Sequence, residues 1–323
     1  MFVPNCKIGI AVCIAAGLAG AQQGSVAGPV SGMVFDRSSH QLRPVLGIPG
    51  ASLLGDPVAL GLEAASAWVA PLQNAAFVAG SDGRLHWFRF DAGTAVEIPL
   101  ADGIALPQAV VFSPSGTAAA LVSGNRAQIF KGLPDHPAPG GSVELSADHP
   151  ARPVVRRLAL AISDDASYLL HGSNGKLRLL GTSGEKRQLM ETAGPVFVAF
   201  APGGTDAAAV DTRGAGVVLF RDLARAGNPE TVAALDERVA ATSGVTFSAD
   251  GRRVFLSNGS GRGVDVVDLA GKGRSTVACS CSPEGITRMG NLFRLNEPGT
   301  EPLWVFDPTA AEPRIVFVPP VTP

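Results

Sequence analysis

Residues Val245 to Leu269, VTFSADGRRVFLSNGSGRGVDVVDL, confine this chain to a narrow set of folds. VTF ends one strand, and Asp250-Gly251 is a hairpin turn signal that requires φ > 0 at both central residues. RRVFLSN is a second strand, Asn258-Gly259-Ser260-Gly261 turns the chain again, and VDVVDL is a third strand. A sheet of this size exposes two apolar faces and cannot bury both by itself. It needs copies of itself to pack against.

Copies are present. The end of the first strand and its turn recur at Phe112 (FSPSG), Ile162 (ISDDA), Phe200 (FAPGG) and Phe247 (FSADG). Weaker versions begin at Val69 (VAPLQN) and Arg288 (RMGN). The steps are roughly 40–50 residues, near the length of one four-stranded propeller blade. Third strands close on an apolar residue followed by a polar one or glycine: Phe35-Asp36, Phe88-Arg89, Phe130-Lys131, Leu180-Gly181, Phe220-Arg221, Val267-Asp268 and Phe306-Asp307. Fourth strands follow as LRPVLG, AVEIPL, SVELS, ETVAAL, STVAC and RIVFV. The expectation is an all-β chain, a β-propeller of six full blades plus an N-terminal hairpin, Met33 to Gly47, at a seventh position. Stacking small sheets around a ring buries their faces and leaves only short edges. Ala-rich strands such as Thr117 to Val122 suit crowded inner positions. Ala207 to Val210 reads as a strand, because Gly203-Gly204 before it and Gly214 and Gly216 after it leave no room for a helix.

These motifs carry a resemblance. FSADGRRVFLSNGSGRGVDVVDL looks like the YVTN-type propeller repeat, and FSPSG resembles the TolB-like propeller motif. The likeness covers most of Ala67 to Phe317, and the first and last units depart from it. It implies a scaffold and transfers no catalytic residue.

The N-terminus reads as a targeting segment. Lys7 precedes the apolar run Ile8 to Gly20, and Ala19-Gly20-Ala21 offers a small-residue cleavage site. Residues 1–21 are therefore expected to be a signal peptide and residues 22–323 a single propeller domain, extracytoplasmic, either periplasmic or secreted. After leader cleavage no run is long enough to span a membrane. The formal net charge is −2, so nucleic-acid binding has no electrostatic support. Gly (39) and Pro (25) interrupt the chain too often for long helices, while 46% hydrophobic content supplies a core.

Candidate chemistry is sparse. Asp135-His136-Pro137 and Asp148-His149-Pro150 flank the Pro-rich stretch Leu133 to Pro153. Two imidazoles and two carboxylates suit zinc or manganese, so His136, His149, Asp135 and Asp148 are weak metal candidates. The plainer reading is a stiff connection with polar side chains, and the whole stretch is expected at the surface as an interaction loop. His86 and His171 fall in strands and read as satisfied side chains on a blade face. Cys6 and Cys13 leave with the leader. Cys279-Ser280-Cys281 remains, and three readings compete: a disulfide, half of a metal site, or two packed thiols. Export favours the disulfide, with a one-residue span that strains it. There is no Gly-x-Ser-x-Gly elbow for a serine nucleophile and no alternating Asp loop for calcium.

No catalytic residue and no cofactor is assigned. The expected function is a binding or scaffold module for an unknown protein or small ligand. The alternative is a lactonase-type propeller hydrolase, which would gather Glu, Asp, Asn or His from several blades at the channel mouth. Enzymatic activity is left open, with binding favoured.

Overall fold

The structure is a computed structural model and describes residues 28–91, 94–101, 103–145, 158–225 and 228–321. The expected leader, Asp148 and His149 lie outside the described residues. Seven antiparallel sheets follow one another along the chain, each in simple up-and-down order. The first holds β1 (Val30–Asp36), β2 (Gln41–Ile48) and β3 (Ala51–Leu54). The second holds β4 (Ala64–Val69), β5 (Ala75–Gly80), β6 (Leu85–Asp91) and β7 (Thr94–Ile98). The third holds β8 (Ala109–Phe112), β9 (Ala118–Ser123), β10 (Arg126–Lys131) and β11 (Ala138–Glu144). The fourth holds β12 (Leu160–Ile162), β13 (Tyr168–Ser173), β14 (Lys176–Gly181) and β15 (Lys186–Glu191). The fifth holds β16 (Val196–Phe200), β17 (Ala207–Asp211), β18 (Gly216–Phe220) and β19 (Pro229–Ala233). One short helix, α1 (Glu237–Ala240), leads to the sixth, with β20 (Thr242–Phe247), β21 (Arg253–Asn258), β22 (Gly263–Asp268) and β23 (Arg274–Ala278). The seventh holds β24 (Thr287–Met289), β25 (Leu292–Arg294), β26 (Leu303–Asp307) and β27 (Arg314–Val318). Seven blades occupy the seven expected positions.

Strand alternation explains the ring. Ala118, Ala120 and Val122 of β9 pack with Leu160, Ile162 and Leu169 of the fourth sheet. The intervening Ala119 and Leu121 pack with Phe77 and Trp87 of the second. A strand with both neighbours apolar must be apolar on both faces, which is why the second strands are almost wholly buried. The Ala-rich segments β9 and β17 occupy this crowded second rank. The same packing recurs at every junction, including the last. Val34 and Val45 meet Met289, Leu303, Val305 and Val318, so side-chain packing closes the ring and the described strands exchange no partner across the seam.

Three of the turns after the first strands share one geometry. Ser113, Ser163 and Ser248 are buried, and their hydroxyls accept from the N–H of Ala118, Tyr168 and Arg253. The fourth turn residue takes positive φ: Gly116 at 74°, Ala166 at 59° and Gly251 at 69°. Ala166 pays about 1 kcal/mol for that conformation. Asp250-Gly251 is thus not the two-residue hairpin suggested by the sequence. Only Gly251 has φ > 0, while Asp250 accepts from Ser248 Oγ and Arg252 N–H.

The first sheet corrects the expected hairpin. Phe35-Asp36 does not close a third strand, and LRPVLG is not an outermost one. Gly47 and Gly50, both at positive φ, turn the chain into the additional strand β3. That strand lies beside β27, the outermost strand of the seventh sheet, and Arg314 Nη2 donates to Pro49 O at 3.0 Å. β1 therefore holds the second rank, flanked by the innermost strands β4 and β24. Among the described residues the first sheet has no innermost strand. The open edge of β1 is partly satisfied by a side chain, with Met33 N–H donating to Gln73 Oε1 at 2.6 Å.

Candidate functional site: the central channel

Six innermost strands, β4, β8, β12, β16, β20 and β24, surround a cavity of about 650 Å³ on the ring axis. Its wall follows from the strand-end motif. The residue just before each strand-end anchor lines the cavity, with the buried Met289 taking the anchor place in the seventh sheet, giving one tier of Trp68, Val111, Ala161, Ala199, Thr246 and Arg288. Five of the six are uncharged, and Phe112, Phe197 and Val198 extend the apolar wall.

The turns at one end of the channel are stitched together. Gly290 N–H donates to Pro71 O at 2.7 Å, joining the seventh sheet to the second over the place where, among the described residues, the first has no innermost strand. Asp164 Oδ1 accepts from Ser115 N–H and Oγ, and its Oδ2 accepts from Gly203 N–H. Arg288 spans this end: Nε donates to Gly290 O at 2.8 Å and Nη1 to Pro114 O at 3.0 Å. Burial holds the Arg288 guanidinium below the usual arginine range, against the opposing field of Asp164. At the other end the first sheet contributes Arg37 and His40, and the seventh contributes Arg294 and Glu297. Arg294 Nη1 binds Glu297 Oε2 at 2.5 Å. Glu297 is the one carboxylate among the described residues lining this cavity.

The residues singled out from sequence lie elsewhere. Asp135 is on the outside of the ring, where its carboxylate binds Arg89 Nη1 of the second sheet at 2.9 Å. His136 is next to it, tied through its backbone N–H to Gly132 O. Part of the expected surface excursion is regular structure, since Ala138–Glu144 forms β11. Among the described residues no group of three or more His, Cys, Asp and Glu side chains is placed to hold a metal. The Cys279 and Cys281 sulfurs lie 1.96 Å apart, and Cys281 packs with Val266, Phe293 and Leu295 at the junction of the sixth and seventh sheets. His171 is fully buried in β13. Sequence reasoning passed over Arg288. The repeat alignment places Arg288 itself at the anchor position; the structure buries Met289 there instead, and that shift of one residue brings the guanidinium into the channel tier.

One titratable cluster lies away from the channel. His86 Nδ1 is 2.7 Å from Glu97 Oε1, and Nε2 is 3.2 Å from Asp82 Oδ2. Burial pulls the imidazole pKa down, but the hydrogen bonds to both carboxylates outweigh it and raise it above the ordinary value. A raised folded-state pKa stabilises fully below the unfolded value near 6.5, and the contribution disappears as pH rises through the folded value. The wild type should exceed a His86→Gln variant by up to about 1 kcal/mol at about pH 5.5, with the gap closing toward about pH 8.5. Paired chemical denaturation curves measure this, and a gap that widens with pH would contradict it.

A seven-bladed β-propeller with an apolar, cation-bearing channel is the class of protein that these observations define. No family model matches the sequence, and no curated protein does. The solved structures to which it is similar include a functionally unknown protein from Desulfotomaculum acetoxidans DSM 771, at 14% identity over 90% of this chain and 99% of that one, with TM-score 0.57. A protein from Lactobacillus plantarum is 13% identical over 89% and 95%, with TM-score 0.58. Kuenenia stuttgartiensis hydrazine synthase is 13% identical over 93% and 99%, with TM-score 0.53. At such identities the likeness is one of fold.

Proposed function

We propose that the protein is a binding module whose small-molecule ligand occupies the central channel. The observation that carries this reading is the cavity itself. At about 650 Å³ it lies within the range of roughly 300–1,000 Å³ common to small-molecule sites, and it shares their mix of apolar wall and few polar groups. The lactonase-type alternative has less behind it: Glu297 is engaged by Arg294, and the other described charges on this cavity are cationic. The leader-like N-terminus supports work outside the cytoplasm, and the quoted strand-end motifs support kinship with YVTN-type and TolB-like repeats.

The test is occlusion. Ala199→Trp places an indole in the tier that lines the channel. A panel of small amphiphiles should raise the wild-type Tm for at least one member, and this variant should lose that shift while keeping its own Tm within a few degrees. A shift that survives occlusion, or a panel without any shift, would refute channel binding.

A further inference from the structure

We propose that the channel takes amphiphilic monocarboxylates, with the carboxylate on Arg288 and an aliphatic or aromatic body along the apolar wall. This deepens the binding reading above and rests on it. The argument begins with what Arg288 lacks. A guanidinium has five N–H groups in a planar fork, and two backbone carbonyls take one each, at Nε and Nη1. Nη2 donates to no described residue, and it is not among the buried atoms lacking a partner, so it keeps access to open space. No carboxylate among the described residues forms an ion pair with it. Asp164 is the acid whose field it feels, but both Asp164 oxygens are occupied by neighbouring turns.

A partly buried cation without a counter-ion is costly, and it invites an anion that shares its desolvated surroundings. One N–H of Nη1 and both of Nη2 remain to donate to a carboxylate. The opposite end reinforces the sign of the charge: Arg37 has no acidic partner among the described residues, while Arg294 is already neutralised by Glu297. The body of the ligand follows from the wall. Trp68, Val111, Phe112, Phe197 and Val198 offer apolar surface for an aliphatic or aromatic body. A phosphate dianion would find one guanidinium too few donors.

Titration calorimetry with decanoate, methyl decanoate and decylammonium tests the head group on the unmodified protein, each kept below its micellar concentration. Decanoate should bind at least tenfold more tightly than either analogue. Arg288→Met should weaken decanoate at least tenfold and leave methyl decanoate unchanged, and Arg288→Lys, which keeps the charge without the fork, should fall between. Equal binding of acid and ester, lost on occlusion by Ala199→Trp, would overturn the role of Arg288 and leave channel binding standing. Preference for decylammonium, or no binding of decanoate, would overturn the ligand class whatever the variants do.

Discussion

Trp87→Ala is expected to lower stability by about 3–5 kcal/mol, the range for emptying a large buried aromatic site. Trp87 is fully buried between the second and third sheets. Its ring lies 4.3 Å from that of Phe77, which in turn lies 5.8 Å from Phe130 and 5.9 Å from Phe112. Such aromatic contacts add to the area term. The indole also does directional work, since Nε1 donates to Pro134 O at 2.8 Å. That bond anchors the connection carrying Asp135 and His136 to the neighbouring sheet, beside the Arg89–Asp135 pair. Truncation thus opens a cavity and releases a loop together. Trp87→Phe separates the two effects: it keeps much of the apolar contact and loses the hydrogen bond, with an expected cost of about 1–2 kcal/mol. Urea titrations at constant m would measure both. A loss below about 1 kcal/mol for Trp87→Ala would mean that the site collapses around the smaller side chain.

The contrast between what the sequence shows and what it hides has a physical basis. The strand-end motif was legible because its constraints are local. A buried serine caps the turn, a residue at positive φ follows, and an apolar anchor precedes them; these fall within a few residues and repeat. Even ISDDA, which lacks the glycine, was recognisable, because the flanking pattern is kept while Ala166 takes the conformation. The rank of a strand within its blade is not local. Met33 to Gly47 looked like third and fourth strands because Phe35-Asp36 mimics a third-strand ending. Only the neighbours β27, β4 and β24 reveal that β1 stands second. The channel lay further from view, since each blade adds one residue per tier and the charge on Arg288 has meaning only against the five others. The Asp-His pairs stood out for the opposite reason. They are conspicuous in sequence, yet Asp135 is paired with Arg89 on the outside of the ring.

Asp265→Ala is expected to cost about 3–5 kcal/mol, because it strands two arginines around a site from which their counter-ion has gone. Asp265 is fully buried in β22. Its Oδ1 accepts from Arg238 Nε at 2.7 Å and Thr276 Oγ1 at 2.6 Å, and its Oδ2 from Arg274 Nη2 at 2.9 Å. The network does not stop there. Arg274 Nη1 donates to Asp236 Oδ2 at 2.6 Å, and Asp236 Oδ1 caps α1 through Val239 N–H. Asp265 thereby fixes the segment that carries the chain from the fifth sheet into the sixth. Unequal exposure predicts unequal effects. The Arg238 and Arg274 side chains keep only 34% and 22% of their surface, so water relieves them in part when Asp265 is removed, whereas the fully buried carboxylate gains no such relief when an arginine is removed. Arg238 Nη2 is already buried without a partner, which leaves that guanidinium the less secure of the two. Arg274→Met should therefore cost more than Asp265→Asn, which keeps the shape and part of the hydrogen bonding. A triple variant, Asp265→Leu with Arg238→Met and Arg274→Met, should recover most of the loss, as replacement of a whole buried charge cluster by apolar groups often does. Denaturation midpoints of these four variants decide the matter. If Asp265→Ala matches the triple variant in stability, the cluster is too well hydrated for charge burial to govern it, and the cap on α1 becomes the part worth measuring.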